Sequence, residues 1–379
     1  YQRQSDNIRA AFQMHELPAY YAIDASPNIY YLTQQTRVDR DYAVFGDSTF
    51  DVTDKFKVSA GIRQFWVNNT LYGFFGFQSY CALYGLGSVP VVPNYRPCVD
   101  TDNKVVEDGE THRVTLTYQI DPDRMVYGTY STGFRPGGNN RRPTVAPYNA
   151  DTLTNFEIGW KTAWFDRRLR ANGAVFYERW KDMQYAVTGT NGITSIVNAA
   201  NAKTEGIEGD ISWLALENLT LSASGTYVNA RTTENLCQLN LVTEQVVHNC
   251  APTDLTAPSG TQLPVTPKLK GNATARYKFN VADYESFVQG TVIHQGASTS
   301  QLELDLNSEM GNLPKFTTFD FATGTGKNNW HLEAYIENLF DKQGQLGRIN
   351  QCAFAYCYEN YRIYPIKPMN FGVKFGQKF

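Results

Sequence analysis

Apolar and polar positions alternate with a period of two through run after run of this chain, the signature of strands with one apolar and one polar face. In HRVTLTYQI, Val114, Leu116, Tyr118 and Ile120 share one side, and Arg113, Thr115, Thr117 and Gln119 share the other. In NFEIGWKTAW, Phe156, Ile158, Trp160 and Trp164 oppose Asn155, Glu157 and Lys161; in KLKGNATARYKF, Leu269, Ala273, Ala275, Tyr277 and Phe279 oppose Lys268, Lys270, Asn272, Thr274, Arg276 and Lys278. About thirteen such runs follow one another. The connections between them sort by length. Short polar turns at Val52–Lys55, Asp121–Arg124, Asp166–Arg168, Glu217–Asn218, Asn280–Asp283 and Gly326–Asn329 alternate with long irregular stretches over 78–110, 133–151, 181–203, 232–266, 297–313 and 341–364.

A single half-buried strand of a soluble sheet alternates in the same way. A long series of them, with aromatic-rich apolar faces and Lys, Arg and Glu opposite, would need a soluble core larger than one domain builds. Runs of about ten residues are long enough to cross a membrane at a tilt, and short turns on one rim with long loops on the other belong to outer-membrane barrels. Aromatic residues make up 14% of the chain and charged residues only 19%, yet no stretch of about 20 apolar residues could form a membrane helix. A membrane reading therefore requires a closed barrel, in which every backbone polar group is paired. From Phe56 to Phe77 there is almost no turn signal. At about 3.3 Å per residue such a strand outreaches a hydrocarbon layer about 30 Å thick and must stand clear of it. The first residues fit the pattern least: a helix-like patch (NIRAAFQMHEL), a proline and a Tyr-rich stretch lead us to expect an extracellular loop over 1–39 and the barrel over 40–379.

A net charge of -3 and the lack of any basic run exclude a nucleic-acid footprint. The six cysteines form three close pairs, Cys81 with Cys98, Cys237 with Cys250 and Cys352 with Cys357. An oxidising compartment leaves such pairs behind, and disulfides are preferred over metal binding because C-x-x-C spacing is lacking and only His248 lies near a cysteine. The five histidines are scattered, and no nucleophile elbow or phosphate-binding loop is present, so no catalytic residue, metal or cofactor is assigned. GFRPGG, at 133–138, lacks the strand-to-helix setting of a phosphate cradle and reads as a tight-turned loop.

The segments YGTYSTGFRPGGNN, LTNFEIGWKTAWFDRRLRANGAVFYERWKDMQ, TEGIEGDISW and IENLFDK, with the closing NFGVKFGQKF, resemble the C-terminal part of TonB-dependent receptor barrels in order and spacing. The resemblance implies an all-β antiparallel barrel of 22 strands with a plugged lumen, of which the thirteen runs would be the last. The plug and a short coupling motif are not visible, so the chain is expected to be part of a longer protein. The closing row Phe371, Phe375 and Phe379 is similar to the signal read by the barrel assembly machinery, and Val373 shares its lipid-facing side. The family implies energised uptake of a scarce bulky solute, a ferric siderophore foremost, driven by the periplasmic TonB protein through the plug, in an outer membrane of phospholipid and lipopolysaccharide. Candidate solute contacts are aromatic and basic loop residues: Tyr80, Tyr84, Tyr95 and Arg96; Arg135, Arg141 and Arg142; Tyr356, Tyr358, Tyr361 and Arg362. A complete passive channel of about 14 strands is the alternative.

Overall fold

The computed structural model describes residues 2–16, 28–76, 98–188, 194–237, 250–350 and 361–378. Its main sheet has 14 strands: β1 (Gln2–Gln13), β2 (Ile29–Asp51), β3 (Phe56–Gly76), β4 (Thr101–Asp121), β5 (Arg124–Arg135), β6 (Asp151–Trp164), β7 (Leu169–Thr188), β8 (Thr194–Leu216), β9 (Leu219–Thr232), β12 (Leu269–Val281), β13 (Tyr284–Gln295), β14 (Phe316–Lys327), β15 (Trp330–Glu337) and β18 (Asn370–Gln377). Each pairs antiparallel with the next in chain order, and β1 and β18 are the two edges of the described sheet. Two small hairpins, β10 (Leu236–Cys237) with β11 (Leu255–Ala257) and β16 (Gln345–Asn350) with β17 (Tyr361–Pro365), belong to the long connections, as does a short helix at Leu304–Met310.

The six short turns lie on one rim, as an antiparallel meander requires, and their residues explain their tightness. The Thr53 hydroxyl accepts the Phe56 amide at 3.0 Å. The Asp121 carboxylate accepts the Asp123 amide at 3.0 Å and holds Arg124, whose guanidinium lies 4.9 Å from the Trp164 ring.

Register carries one apolar face across the whole sheet, because directly paired residues point to the same side. From β5 to β8 the row runs Gly128, Ile158, Val175, Ile207; from β9 to β13 it runs Ala223, Ala273, Val292; from β14 to β18 it runs Phe321, Ile336, Phe371. Ile158 is 70% exposed and Phe371 79%, which only a lipid solvent makes favourable. Toward the short turns this face ends in Trp164, Trp213 and Trp330, the interfacial aromatic girdle of a membrane barrel. The opposite face carries Glu157, Lys161, Lys270, Arg276 and Lys374, with exposed ion pairs such as Arg113–Asp47 at 2.8 Å and Lys374–Glu333 at 3.2 Å. There, rings lie flat over directly paired glycines: Tyr127 over Gly159, Phe176 over Gly206, Phe287 over Gly324 and Tyr335 over Gly372. They fill the space a missing side chain leaves and help pin the register.

Two expectations need correction. The loop over 1–39 is instead largely sheet: β1 pairs with β2 from Gln2↔Asp41 to Gln13↔Ile29. That pairing involves only the half of β2 farthest from its short turn, beyond the lipid-facing row, so neither strand needs an apolar face there and no period-two signal marks them. The stretch 181–203 is likewise mostly a hairpin, since β7 runs on to Thr188 and β8 starts at Thr194, with bulges at Met183 that break the alternation.

A lysine placed at Ile158 should shift the protein from the folded to the unfolded band in a heat-modifiability gel, because charge near the lipid midplane costs about 2 to 4 kcal/mol. Glu157→Ala, one residue away on the inner face, should leave the folded band intact. Equal losses at both positions would refute the face assignment.

Candidate functional site

The rim opposite the short turns is built by strands of unequal height. β4 reaches up to Thr101 and β7 to Thr188, whereas β5 ends at Arg135 and β6 begins at Asp151, and β4–β5 pairing stops at Arg113↔Ser131. The wall is therefore notched, and residues 136–150 fill the notch. Glu107 on β4 accepts the Gly137 amide at 2.7 Å and the Ala150 amide at 2.8 Å, so one carboxylate clamps both ends of the segment. Asn139, 2% exposed, donates to the Asn69 side chain at 2.7 Å, and Asn140 exchanges hydrogen bonds of 2.8 Å with the Ile196 backbone on β8. The Gln35 amide donates to the Arg141 carbonyl at 2.7 Å, and Arg37 donates to the Tyr148 hydroxyl at 3.3 Å. A Cβ at Gly137 would stand 2.5 Å from the Tyr148 carbonyl oxygen, which explains the glycine by close approach of backbone rather than by phosphate binding.

Beside the notch lies the packed layer of the long connections. Met183, Val187, Val197, Ala202, Ala230, Leu236, Ala257, Leu263 and Leu302 form one buried apolar cluster drawn from β7, β8, β9, the β10–β11 hairpin and the segments before β12 and before the helix. The Cys237–Cys250 disulfide closes the β10–β11 connection over 13 residues. Closing a loop of that size removes about 3 kcal/mol of disorder from the open chain, on the chain-entropy model. Cys98 is disulfide-bonded as well and is fully buried against Leu32 and Phe74. The last connections interlock: Arg348 on β16 donates to the Met310 carbonyl at the helix end and stacks on Tyr361 at 5.2 Å, while Gln301 donates to the Arg348 carbonyl at 3.3 Å.

Of the candidate contacts, Arg135 is held by Asp151, whose carboxylate is 3% exposed and also accepts the Gln184 amide at 3.0 Å; its guanidinium lies 5.0 Å from the Trp180 ring. It braces the wall. Arg142 donates to Thr144 at 3.1 Å, Tyr361 lies under Arg348, and Arg362 is exposed on β17. Tyr80, Cys81, Tyr84, Tyr95, Arg96, Cys352, Tyr356, Cys357, Tyr358 and Phe379 lie outside the described residues. Sequence reading missed the polar clamp of Asn69, Glu107, Asn139 and Asp151. Its one legible sign was Asn139–Asn140 directly after two glycines. An open polar cleft of about 580 Å³ lies between Asp182, Asn198, Asn201 and Glu234, but its groups bond to one another, Asn201 to Glu234 at 2.6 Å and Asn198 to the Asp182 carbonyl at 2.8 Å.

A family model described as TonB dependent receptor-like, beta-barrel matches residues 3–339. The chain belongs to this family. Similar proteins include a pesticin receptor of Yersinia enterocolitica, 25% identical over 197 residues (51% of this chain and 26% of the relative), and the metal-pseudopaline receptor CntO of Pseudomonas aeruginosa, 22% identical over 272 residues (72% and 34%). The chain thus spans about a quarter to a third of the length of these relatives. Its fold is similar to that of the ferric yersiniabactin uptake receptor FyuA from Yersinia pestis, with TM-score 0.73 and 16% identity over 100% of this chain and 50% of that one. These receptors place the sheet in the Gram-negative outer membrane, with the short turns on the periplasmic rim and the long connections outside.

Two outcomes follow from the extracellular geometry. Glu107→Ala should release residues 136–150, seen as faster amide exchange confined to that segment, because two charge-assisted hydrogen bonds contribute roughly 1.5 to 3 kcal/mol each; unchanged exchange would show that the clamp is not holding the segment. Burial, reinforced by the charge of Asp305, pushes the Glu303 carboxyl up to about 7. Between the ordinary carboxylate value and 7 the packed loop binds more protons than the open one, so rising pH weakens it. The protection of the amides over 297–313, taken as exchange relative to the intrinsic base-catalysed rate, should fall from pH 5 to pH 8, and Glu303→Gln should flatten that dependence. Identical profiles in the two proteins would contradict the linkage.

Proposed function

We propose that this chain is the ligand-facing barrel wall of a receptor that takes up a scarce, bulky, metal-carrying solute, with a ferric siderophore as the leading substrate class. The observation that carries the reading is the family match across residues 3–339, joined to a wall that rises well past the lipid belt and ends in a cross-braced loop layer. Similar proteins are named as receptors for pesticin, metal-pseudopaline and ferric pyoverdine, a set that shares extracellular capture of large or metal-loaded ligands. A passive channel depends on its bore and has little need for a packed, disulfide-tied canopy, so the receptor reading is favoured over it. An enzymatic role has no support among the relatives, which are receptors and transporters.

In this reading the barrel contributes binding and a path, and the energised step comes from the periplasmic TonB protein acting on a plug within the lumen. The Cys237–Cys250 bridge and the Glu107 clamp preorganise the outer surface, which lowers the ordering cost of binding. Arg142, Tyr361 and Arg362 are proposed to meet solute there, together with Tyr80, Tyr84, Tyr95, Arg96, Tyr356 and Tyr358. Arg135 and Arg141 act indirectly, by holding the notch segment in place.

The test is uptake of radiolabelled ferric siderophores of catecholate, hydroxamate and carboxylate type by cells expressing the full receptor, with and without TonB. Saturable uptake of one class that disappears without TonB is expected. Non-saturable, TonB-independent flux would support the passive channel instead. In the same assay Cys237→Ser with Cys250→Ser should weaken solute binding several-fold while the heat-modifiable folded band persists; full binding in the double variant would show that the bridge does not shape the site.

A further inference from the structure

Three cations stand side by side on the lipid-facing side of the wall, at a height where an apolar belt should give way to headgroups. Arg179 on β7 is directly paired with Lys203 on β8, and Lys203 with Arg231 on β9. Like charges directly opposite one another destabilise a sheet. Within the protein one carboxylate faces three cations: Glu205 lies 3.6 Å from Lys203, and its charge also reaches Arg231, which bonds to Asn229 at 2.7 Å, while Arg179 lies 5.6 Å from the Tyr177 ring. Among the described residues neither Arg179 nor Arg231 makes an ion pair.

Height tells what meets this row. Trp213, in the periplasmic aromatic girdle, is ten residues below Lys203 on the same side of β8. Ten residues span about 33 Å along a strand, or about 25 Å vertically at the usual tilt of roughly 40°, the height of a barrel's apolar belt. The face between is Ile211, Gly209 and Ile207, with no charge until Glu205. The row therefore stands in the outer leaflet's headgroup layer. At the same height above the short turns, β4 carries the exposed acids Asp108 and Glu110, so the basic row is local to β7–β9 and no general feature of the rim.

We propose that the outer face of β7–β9 at Arg179, Lys203 and Arg231 is a docking site for the phosphorylated headgroup of an outer-leaflet glycolipid. Guanidinium groups bind phosphate through paired, charge-assisted hydrogen bonds, and a headgroup bridging the three cations removes their mutual repulsion. Tyr177 sits on the next outward level below the row, and Val175, Ile207 and Tyr227 form the level beneath it, an apolar and aromatic surface for acyl chains. The site lies on the opposite side of the wall from the lumen and is independent of which solute the receptor takes.

Native mass spectrometry of the full receptor titrated with diphosphoryl lipid A tests this. The wild type should hold the lipid, and the variant Arg179→Gln, Lys203→Gln, Arg231→Gln should bind it on the order of 100-fold more weakly, from about 1 kcal/mol per basic residue near an anionic surface. The single variant Arg179→Gln, expected to lose about fivefold on the same scale, guards against a folding defect in the triple one. Lys161→Gln with Lys270→Gln and Lys374→Gln, an equal charge change on the inner face, should retain full affinity. Lipid A stripped of its phosphates should bind the wild type poorly, and millimolar inorganic phosphate should not displace the intact lipid. Equal affinity in the outer-face variants, equal loss in the inner-face variant, strong binding of the dephosphorylated lipid, or displacement by free phosphate would each overturn the proposal.

Discussion

A backbone amide or carbonyl in hydrocarbon has no water to bond, and that constraint organises everything else in this structure. It demands paired strands across the whole membrane-spanning region, hence a continuous meander in which each main-sheet strand from β3 to β15 has a neighbour on both sides. It also demands a single register, since a slip of one residue would turn Lys161 and Glu157 into lipid and Ile158 into water. The inner rings lying over paired glycines and the hydroxyl and carboxylate bonds that tighten the short turns serve that register. The edges β1 and β18 are under the same constraint wherever they meet lipid.

Above the belt the constraint relaxes, and the strands put their extra length to another use. β2, β3, β4, β7 and β8 each have 20 or more residues, about twice what a crossing needs. Their outer halves form a scaffold on which polar side chains can be buried, because protein rather than lipid surrounds them. Asn69, Asn139, Asp151 and Glu107 act there as cross-braces, converting the 136–150 segment from a loop into part of the wall. A receptor surface benefits from this arrangement: affinity for a large solute depends on how much ordering has already been done before the solute arrives.

What was legible in the sequence followed from solvent. Wherever one face met lipid and the other water, as in β4, β6 and β12, period-two alternation gave the strands, their facing and the sense of the rims. Where both faces met water or protein the signal vanished, which is why β1 read as a loop with a helix-like patch and the upper β7–β8 hairpin read as irregular. The long connections were legible as such, and so was the close spacing of Cys237 and Cys250. The purpose of single loop residues was not. Arg135 has the character of a solute contact in sequence, yet Asp151, 16 residues on, takes up its guanidinium. Only pairing in space separates a bracing arginine from a free one. The basic row of Arg179, Lys203 and Arg231 was hidden for the same reason: its members are scattered in sequence and adjacent only through register.

The division of one wall into a lipid-facing lower half and a water-standing upper half can be measured along a single strand. Spin labels placed one at a time along β8 from Leu216 to Thr194, in the receptor reconstituted in bilayers, report accessibility to oxygen, which partitions into lipid, and to a polar nickel complex, which does not. The account predicts oxygen accessibility alternating with a period of two from Trp213 to Ile207, peaking at Ile211 and Ile207, and polar accessibility on the outward face from Lys203 upward. Polar accessibility on both faces along the whole strand, or an oxygen-accessible zone that includes Lys203 and the residues above it, would contradict it.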